Sequence, residues 1–205
     1  DGDAIDRVLA AKFGLTAEDV TDVIVTHLHF DHNGGLTDWV DEPGGDTRLR
    51  YPQATHWLHK RHLDRAHNPS IKDRASFHRR DFAVLEDSSR LQLVEGDAPN
   101  APWVGVRFFV SDGHTPGQLL PVFEDGGQSL MFAGDVFPTS SHLRLPWVMA
   151  YDLEPLKTIE EKERILTRCR EDGLKLVFPH DHRLAGAEID FAAERPFVAR
   201  TIDLE

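Results

Sequence analysis

The chain has a single cysteine, Cys169. An intramolecular disulfide and a thiolate-rich metal site are therefore both excluded. The lack of disulfides fits a cytoplasmic protein. Cys169 sits between Arg168 and Arg170 in a helical pattern, and it reads as a small helix residue rather than a reactive thiol. Long apolar runs are also missing. The longest, such as Val104 to Val110, is strand-sized and broken by Arg107, far short of the roughly 18 residues a membrane span needs. No apolar leader opens the chain, although its abrupt start leaves an upstream leader open. Basic residues are outnumbered by acidic ones, 23 against 35, for a formal net charge of -12. Such a surface repels phosphate backbones and anionic lipid, so neither nucleic acid nor membrane is an expected partner. Asp side chains that hold divalent cations would cancel part of that charge. Repeats, low-complexity tracts and linkers are absent too. The 205 residues are accordingly expected to form one domain, 1–205.

The abundant residue is histidine, with 12 copies. Histidine is the commonest metal ligand, so its placement among the elements matters. Ile5, Val8, Leu9 and Phe13 fall at helical spacing, with Gly14 as the stop. Thr16 and Asp19 are suited to cap a short turn. Asp22 to Thr26 reads as a short β-branched strand. Further strands are expected at Ala54 to Leu58, Leu91 to Val94 and Gly105 to Val110. A hairpin is expected from Gln118 to Ala133, turning at Asp125-Gly-Gly127. Pro155 to Glu171 reads as a charged helix ending at Gly173, with one more strand at Leu174 to Phe178. This mixed order predicts an α/β or α+β layered fold.

Ligand-type residues recur just after the strands: His27-x-His29-x-Asp31-His32, then Gly113-His114-Thr-Pro-Gly117, Gly134-Asp135, and Pro179-His180-Asp181. They offer five imidazoles and two carboxylates, a mixture suited to zinc and also to iron, manganese or cobalt. In an extended segment residues i and i+2 point the same way, so His27 and His29 can serve one ion. A tight turn then carries Asp31 and His32 toward a neighbouring ion, about 3.5–4 Å away in two-metal sites. Ligands at strand ends rest on a rigid base, and Gly34-Gly35 lets the backbone turn closely.

These segments, THLHFDHNGG, GHTPGQ, AGDVFP and VFPHD, resemble the metallo-β-lactamase superfamily in the right chain order, from about Asp19 to about His182. Membership implies an αββα sandwich with two divalent metal ions at one edge between its sheets. Residue by residue, the resemblance implies His27, His29 and His114 on one ion. Asp31, His32 and His180 go to the other, and Asp135 bridges the two. His180 is preferred to His182 because it follows its strand directly and is trailed by Asp181. HLHFDHNGG and GHTPGQ look closest to the lactonase and organophosphate hydrolase-like branch. The family's usual N-terminal strands are lacking here, since sequence for only one helix precedes Asp22. The front of the domain is thus expected to be incomplete or abbreviated.

The expected chemistry is hydrolysis of a lactone or other carboxylic ester by a hydroxide bridging the two metals. Asp31 serves as ligand and proton donor to the leaving group, and Asp135 holds the ions apart. Phosphotriesterase, thioesterase and β-lactamase activities remain alternatives on the same site. A mono-iron sulfur dioxygenase and an inactive truncated chain are alternatives of other classes. Phe30, Phe137, His142 and Trp147 are candidate substrate contacts, favouring a neutral, hydrophobic small molecule. A homodimer is compatible with the sequence. His56, His59, His62, His67 and His78 are assigned to the surface or to structural hydrogen bonds. The run Lys157 to Arg170 is read as a solvated helix face.

Overall fold

A computed structural model describes residues 4–192 and 195–202. The chain divides into two compact units, Asp1–Val94 and Glu95–Glu205.

The first unit opens with helix α1 (Ala4–Val8), which continues as a π-helical turn over Leu9–Phe13. Gly14 ends it at φ +66°, a left-handed conformation that glycine adopts without a Cβ penalty. The face carrying Ile5, Val8 and Phe13 is exposed. Thr16 and Asp19 form the expected capping box. Strand β1 (Asp22–Ile24) leads into helix α2 (Phe30–Asn33), and β2 (Thr37–Trp39) pairs with β3 (Thr47–Leu49) as a small hairpin. Strand β4 (Thr55–His59) runs directly into α3 (Lys60–His67), and α4 (Ala83–Asp87) precedes β5 (Leu91–Val94). Strands β1, β4 and β5 make a parallel sheet in the order β1-β4-β5. Their carboxyl ends therefore lie at one edge, where the segments after β1 and β4 meet. Val25, Leu28, Leu36, Leu58, Phe82 and Leu85 form the unit's core.

The second unit is a six-stranded sheet in the order β11-β10-β9-β8-β7-β6. Its strands are β6 (Val106–Ser111), β7 (Gln118–Asp125), β8 (Gln128–Phe132), β9 (Lys175–Val177), β10 (Gly186–Ala192) and β11 (Arg195–Ile202). All neighbours are antiparallel except β8 and β9. That one parallel pair needs a crossover, and helix α5 (Pro155–Asp172) supplies it. Proline at the start of α5 and Gly173 at φ +68° after its end are the punctuation expected of it. Leu120, Val122, Met131, Ile165, Leu176 and Ala187 belong to the unit's core.

The mixed α/β class expected from the sequence is present. One reading is corrected. Helix α5 is not a wholly solvated face, because Glu161 and Lys162 are buried on it. Lys162 is nonetheless fully engaged. Its Nζ donates to the carbonyls of Arg144 (2.7 Å), Leu145 (3.1 Å) and Trp147 (2.7 Å). Three N–H groups meeting three carbonyls is the condition under which a buried ammonium is tolerated. Burial still pushes its pKa down to about 8, with nearby Asp152 opposing.

Candidate metal-binding residues

In the first unit the backbone leaves β1 still extended, with the Val25 N–H donating to the Trp57 carbonyl. His27 and His29 follow, both buried. Their rings meet edge to face at 4.6 Å between centroids, and each offers a ring nitrogen within 4.8 Å of the other's. The Thr26 hydroxyl lies 3.1 Å from His27 Nδ1, which fixes that edge of the ring and turns Nε2 to the other side. The tight turn expected after His29 is the helical turn α2. The His32 and Asn33 N–H groups close on the His29 carbonyl. That turn sets Asp31 beside His32, with Oδ2 and Nε2 3.6 Å apart, and brings the His32 ring to 4.1 Å from that of His27. Four ligand-type side chains thus gather within one segment.

In the second unit His114, Asp135 and His180 come together from three connections. His114 leaves β6 through Gly113, which presses against the first turn of α5. A Cβ there would lie 2.5 Å from the Thr158 backbone nitrogen. The carbonyls of Gly113 and His114 accept from the N–H groups of Glu154 and Leu153. Glu161 takes up the donors before them: Ser111 Oγ at 2.6 Å, the Asp112 N–H at 2.8 Å and the Gly113 N–H at 3.3 Å. Burial raises the Glu161 pKa, and those three donors work against it. Asp135 is set by Gly134 at φ +47°, where a Cβ would come within 2.7 Å of Leu120. The Asp135 N–H donates to Gln118 Oε1 at 3.0 Å. His180 is carried by β9, with its N–H on the Pro138 carbonyl. Asp181 anchors the turn after it, accepting from the Ser140 hydroxyl and from three backbone N–H groups. Burial opposes ionisation of Asp181, but these donors outweigh it and hold its pKa at about 2.

The donor set can be tested against a metal on this geometry. Asp152 Oδ1 lies 2.9 Å from His114 Nδ1, and both residues are buried. A carboxylate there holds the proton on Nδ1 and leaves the Nε2 lone pair outward. That Nε2 faces Asp135 Oδ2 at 3.2 Å. The other carboxylate oxygen, Oδ1, faces His180 Nε2 at 3.2 Å. Two lone-pair atoms at that distance repel unless a proton or a metal cation lies between them. A carboxylate presenting each oxygen to a different imidazole is what a ligand shared by two cations requires. With imidazole and carboxylate donors and no thiolate, the set fits a divalent zinc, iron, manganese or cobalt ion.

His182 is engaged elsewhere, with Nε2 accepting from Arg183 Nε at 3.3 Å. Phe30 is half-exposed and stacks on His78 at 5.0 Å. Trp147 is also half-exposed, with the Arg144 guanidinium over its ring. His142 lies on a 3-10 turn, with Nδ1 2.9 Å from the Thr139 hydroxyl. Burial, and then the charge of Lys162, lower its pKa. Phe137 is completely buried in the core of this unit, with the Lys162 ammonium over its ring. Asp152, Gln118 and Glu161 escaped the sequence reading. Gln118 closes the GHTPGQ stretch and so lies in a segment already conspicuous, whereas Asp152 lies outside the segments that carry the resemblance. Glu161 carries no such signal.

Residues 1–196 match the model of the metallo-beta-lactamase superfamily. This chain belongs to that superfamily. Among its relatives are a probable metallo-hydrolase of Mycobacterium tuberculosis, 24% identical over 194 residues, covering 83% of this chain and 57% of that protein. Another is the N-acyl homoserine lactonase AttM of Azorhizobium caulinodans, 24% identical over 173 residues, covering 82% of this chain and 60% of that one. The chain thus spans less than two thirds of the length of these relatives. A crystal structure of a probable metal-dependent hydrolase from Staphylococcus aureus superposes with a TM-score of 0.84 at 27% identity, over 97% of this chain and 67% of that one. AidC, a dizinc quorum-quenching lactonase, superposes with a TM-score of 0.77 at 20% identity, over 96% and 69%. The latter likeness is one of fold. No helix among the described residues is long and apolar enough to cross a membrane.

Proposed function

We propose that this superfamily member is a metal-dependent hydrolase of lactones or other carboxylic esters, holding two divalent ions, zinc first among them. The ligands are His27, His29, Asp31, His32, His114, Asp135 and His180. The observation that carries the reading is the Asp135 carboxylate, which meets a separate imidazole nitrogen at each oxygen, 3.2 Å away in both cases. When bound, such ions supply Lewis acidity and lower the pKa of water to near neutrality. The protein's own contributions are separable. Asp135 offers one carboxylate oxygen to His114 and the other to His180. Asp152 holds the proton on His114 Nδ1, so that Nε2 remains a donor of its lone pair. Asp31, whose side chain is 43% exposed, can take up the proton that an attacking water gives up and pass it to the departing alkoxide. The half-exposed aromatic rings of Phe30 and Trp147 support a neutral, apolar substrate.

The test begins with metal content per chain, by elemental analysis of protein purified without chelator or histidine tag. About two zinc, manganese or cobalt ions, with turnover of lactones exceeding that of phosphotriesters and thioesters, is the expected result. A single iron with no esterase activity would replace this reading by an oxygenase one.

A further inference from the structure

The spacer of the H-x-H pair, Leu28, is held by side chains on both of its backbone polar groups. Its N–H donates to His62 Nε2 at 2.7 Å, and its carbonyl accepts from Asn33 Nδ2 at 3.1 Å. Leu28, His62 and Asn33 are all 0% exposed. The Asn33 contact is local, five residues along the chain. The His62 contact spans 34 residues and arises from the parallel pairing of β1 with β4. Because those strands end at one edge, the first turn of α3 lies beside the segment that leaves β1. His62 projects from that turn, and its ring centroid lies 5.9 Å from that of His27 and 6.2 Å from that of His29. An Nε2 that accepts an amide proton has its own proton on Nδ1. The lone pair of Nε2 is thereby committed to the backbone.

We propose that His62 is a positioning residue for the metal ligands: a buried hydrogen-bond acceptor that fixes the Leu28 peptide, and through it the side-by-side orientation of His27 and His29. The inference rests on the proposed metal role of those two histidines. Rotation of the Leu28 peptide would turn the two side chains away from one another, since their shared direction depends on the extended i, i+2 relation. His62 opposes that rotation because the buried Leu28 N–H would have to give up its hydrogen bond to Nε2.

The experiment uses the full chain, with zinc ion alone as probe and chelator competition as the affinity readout. His62→Leu removes the acceptor, whereas His62→Gln keeps one in its amide oxygen. Zinc affinity is expected to fall about 10- to 100-fold in His62→Leu, the range typical when a partner that orients metal ligands is lost, and to recover largely in His62→Gln. Ile189→Ala, a core change in the second unit, serves as the control for a general loss of stability. It should lower the unfolding temperature and leave zinc affinity within twofold. A second readout needs no metal. The Leu28 amide should exchange slowly with solvent deuterium in wild type and His62→Gln, and at least tenfold faster in His62→Leu. Unchanged zinc affinity in a folded His62→Leu protein overturns the inference, as does unchanged Leu28 exchange in the metal-free protein. Absence of zinc binding by the wild type instead overturns the metal reading itself, and the exchange measurement then still decides whether His62 fixes the peptide.

Discussion

Gly113→Ala is a one-carbon perturbation with a calculable consequence. Gly113 does not adopt a left-handed conformation, so the added methyl meets no backbone penalty of its own and the effect is one of space. The new Cβ would stand 2.5 Å from both the Thr158 backbone nitrogen and its Oγ1, and 2.6 Å from its Cα. Ordinary contact begins at 3.4 Å. The loop and the first turn of α5 must therefore separate by roughly 1 Å, a shift that well-packed interiors resist. Over-packing of this kind costs about 1–3 kcal/mol. The shift also stretches the Glu154 N–H contact to the Gly113 carbonyl, now 2.8 Å, and the Gly113 N–H contact to Glu161, now 3.3 Å. Losing one such bond adds about 1 kcal/mol. The sum, about 2–4 kcal/mol, corresponds to a fall in Tm of roughly 5–15 °C for a chain of this size. His114 is the next residue, so zinc affinity should fall along with stability. Thr158→Ala removes the Oγ1 contact but not the backbone one, and the double variant should regain only part of the loss. Thermal unfolding and chelator competition on the three variants provide the measurement. A Gly113→Ala protein that unfolds within about 2 °C of wild type and keeps its zinc affinity refutes the reasoning.

Three further outcomes follow from the same structure. Burial holds the His56 pKa below its ordinary value, with the Ala54 backbone opposing and Arg90 assisting. The neutral ring is thus favoured in the folded state. Its contribution to stability is complete above the unfolded pKa of about 6.5 and is lost as pH falls below it, at no more than about 1.4 kcal/mol per pH unit. Urea unfolding between pH 7 and 5 should show a shallower loss in His56→Leu than in wild type, and parallel curves would dismiss the assignment. Asp152→Asn keeps an oxygen for His114 Nδ1–H but removes the charge. Zinc affinity or turnover should drop about 10- to 100-fold with Tm little changed, and wild-type behaviour would deny Asp152 its part in setting the ring. Cys169 is buried and its thiol is pushed up to about 12 by that burial. A disulfide reagent should titrate it only after denaturation, and rapid modification of native protein would contradict the packing of α5.

Four of the candidate ligand residues were legible because they are local. His27, His29, Asp31 and His32 lie within one strand-to-helix turn, and the geometry that gathers them needs only extended backbone followed by a helical turn. Gly14 and Gly173 were legible for the same reason, since each ends a helix in a left-handed conformation set by neighbouring residues alone. The strands with clear apolar patterns, such as Leu91–Val94, were readable from periodicity. The β2–β3 and β10–β11 hairpins were not. Their strands stand in a two-stranded ribbon or near a sheet edge, and β11 alternates around Pro196, a residue tolerated only where a ladder bond can be spared.

What the sequence determined by itself is therefore the family and the chemical types of the candidate ligands. The tertiary structure decided which other polar groups support them. Asp152 reaches His114 across 38 residues, Glu161 reaches Ser111 across 50, and His62 reaches Leu28 across 34. In the sequence Glu161 looks like part of a solvated helix face, and nothing near Asp152 or His62 names the partner each one reaches. Each is buried, and a buried polar group is tolerated only when its partner is present. That partner is chosen by which elements pack together, a relation that local spacing does not carry.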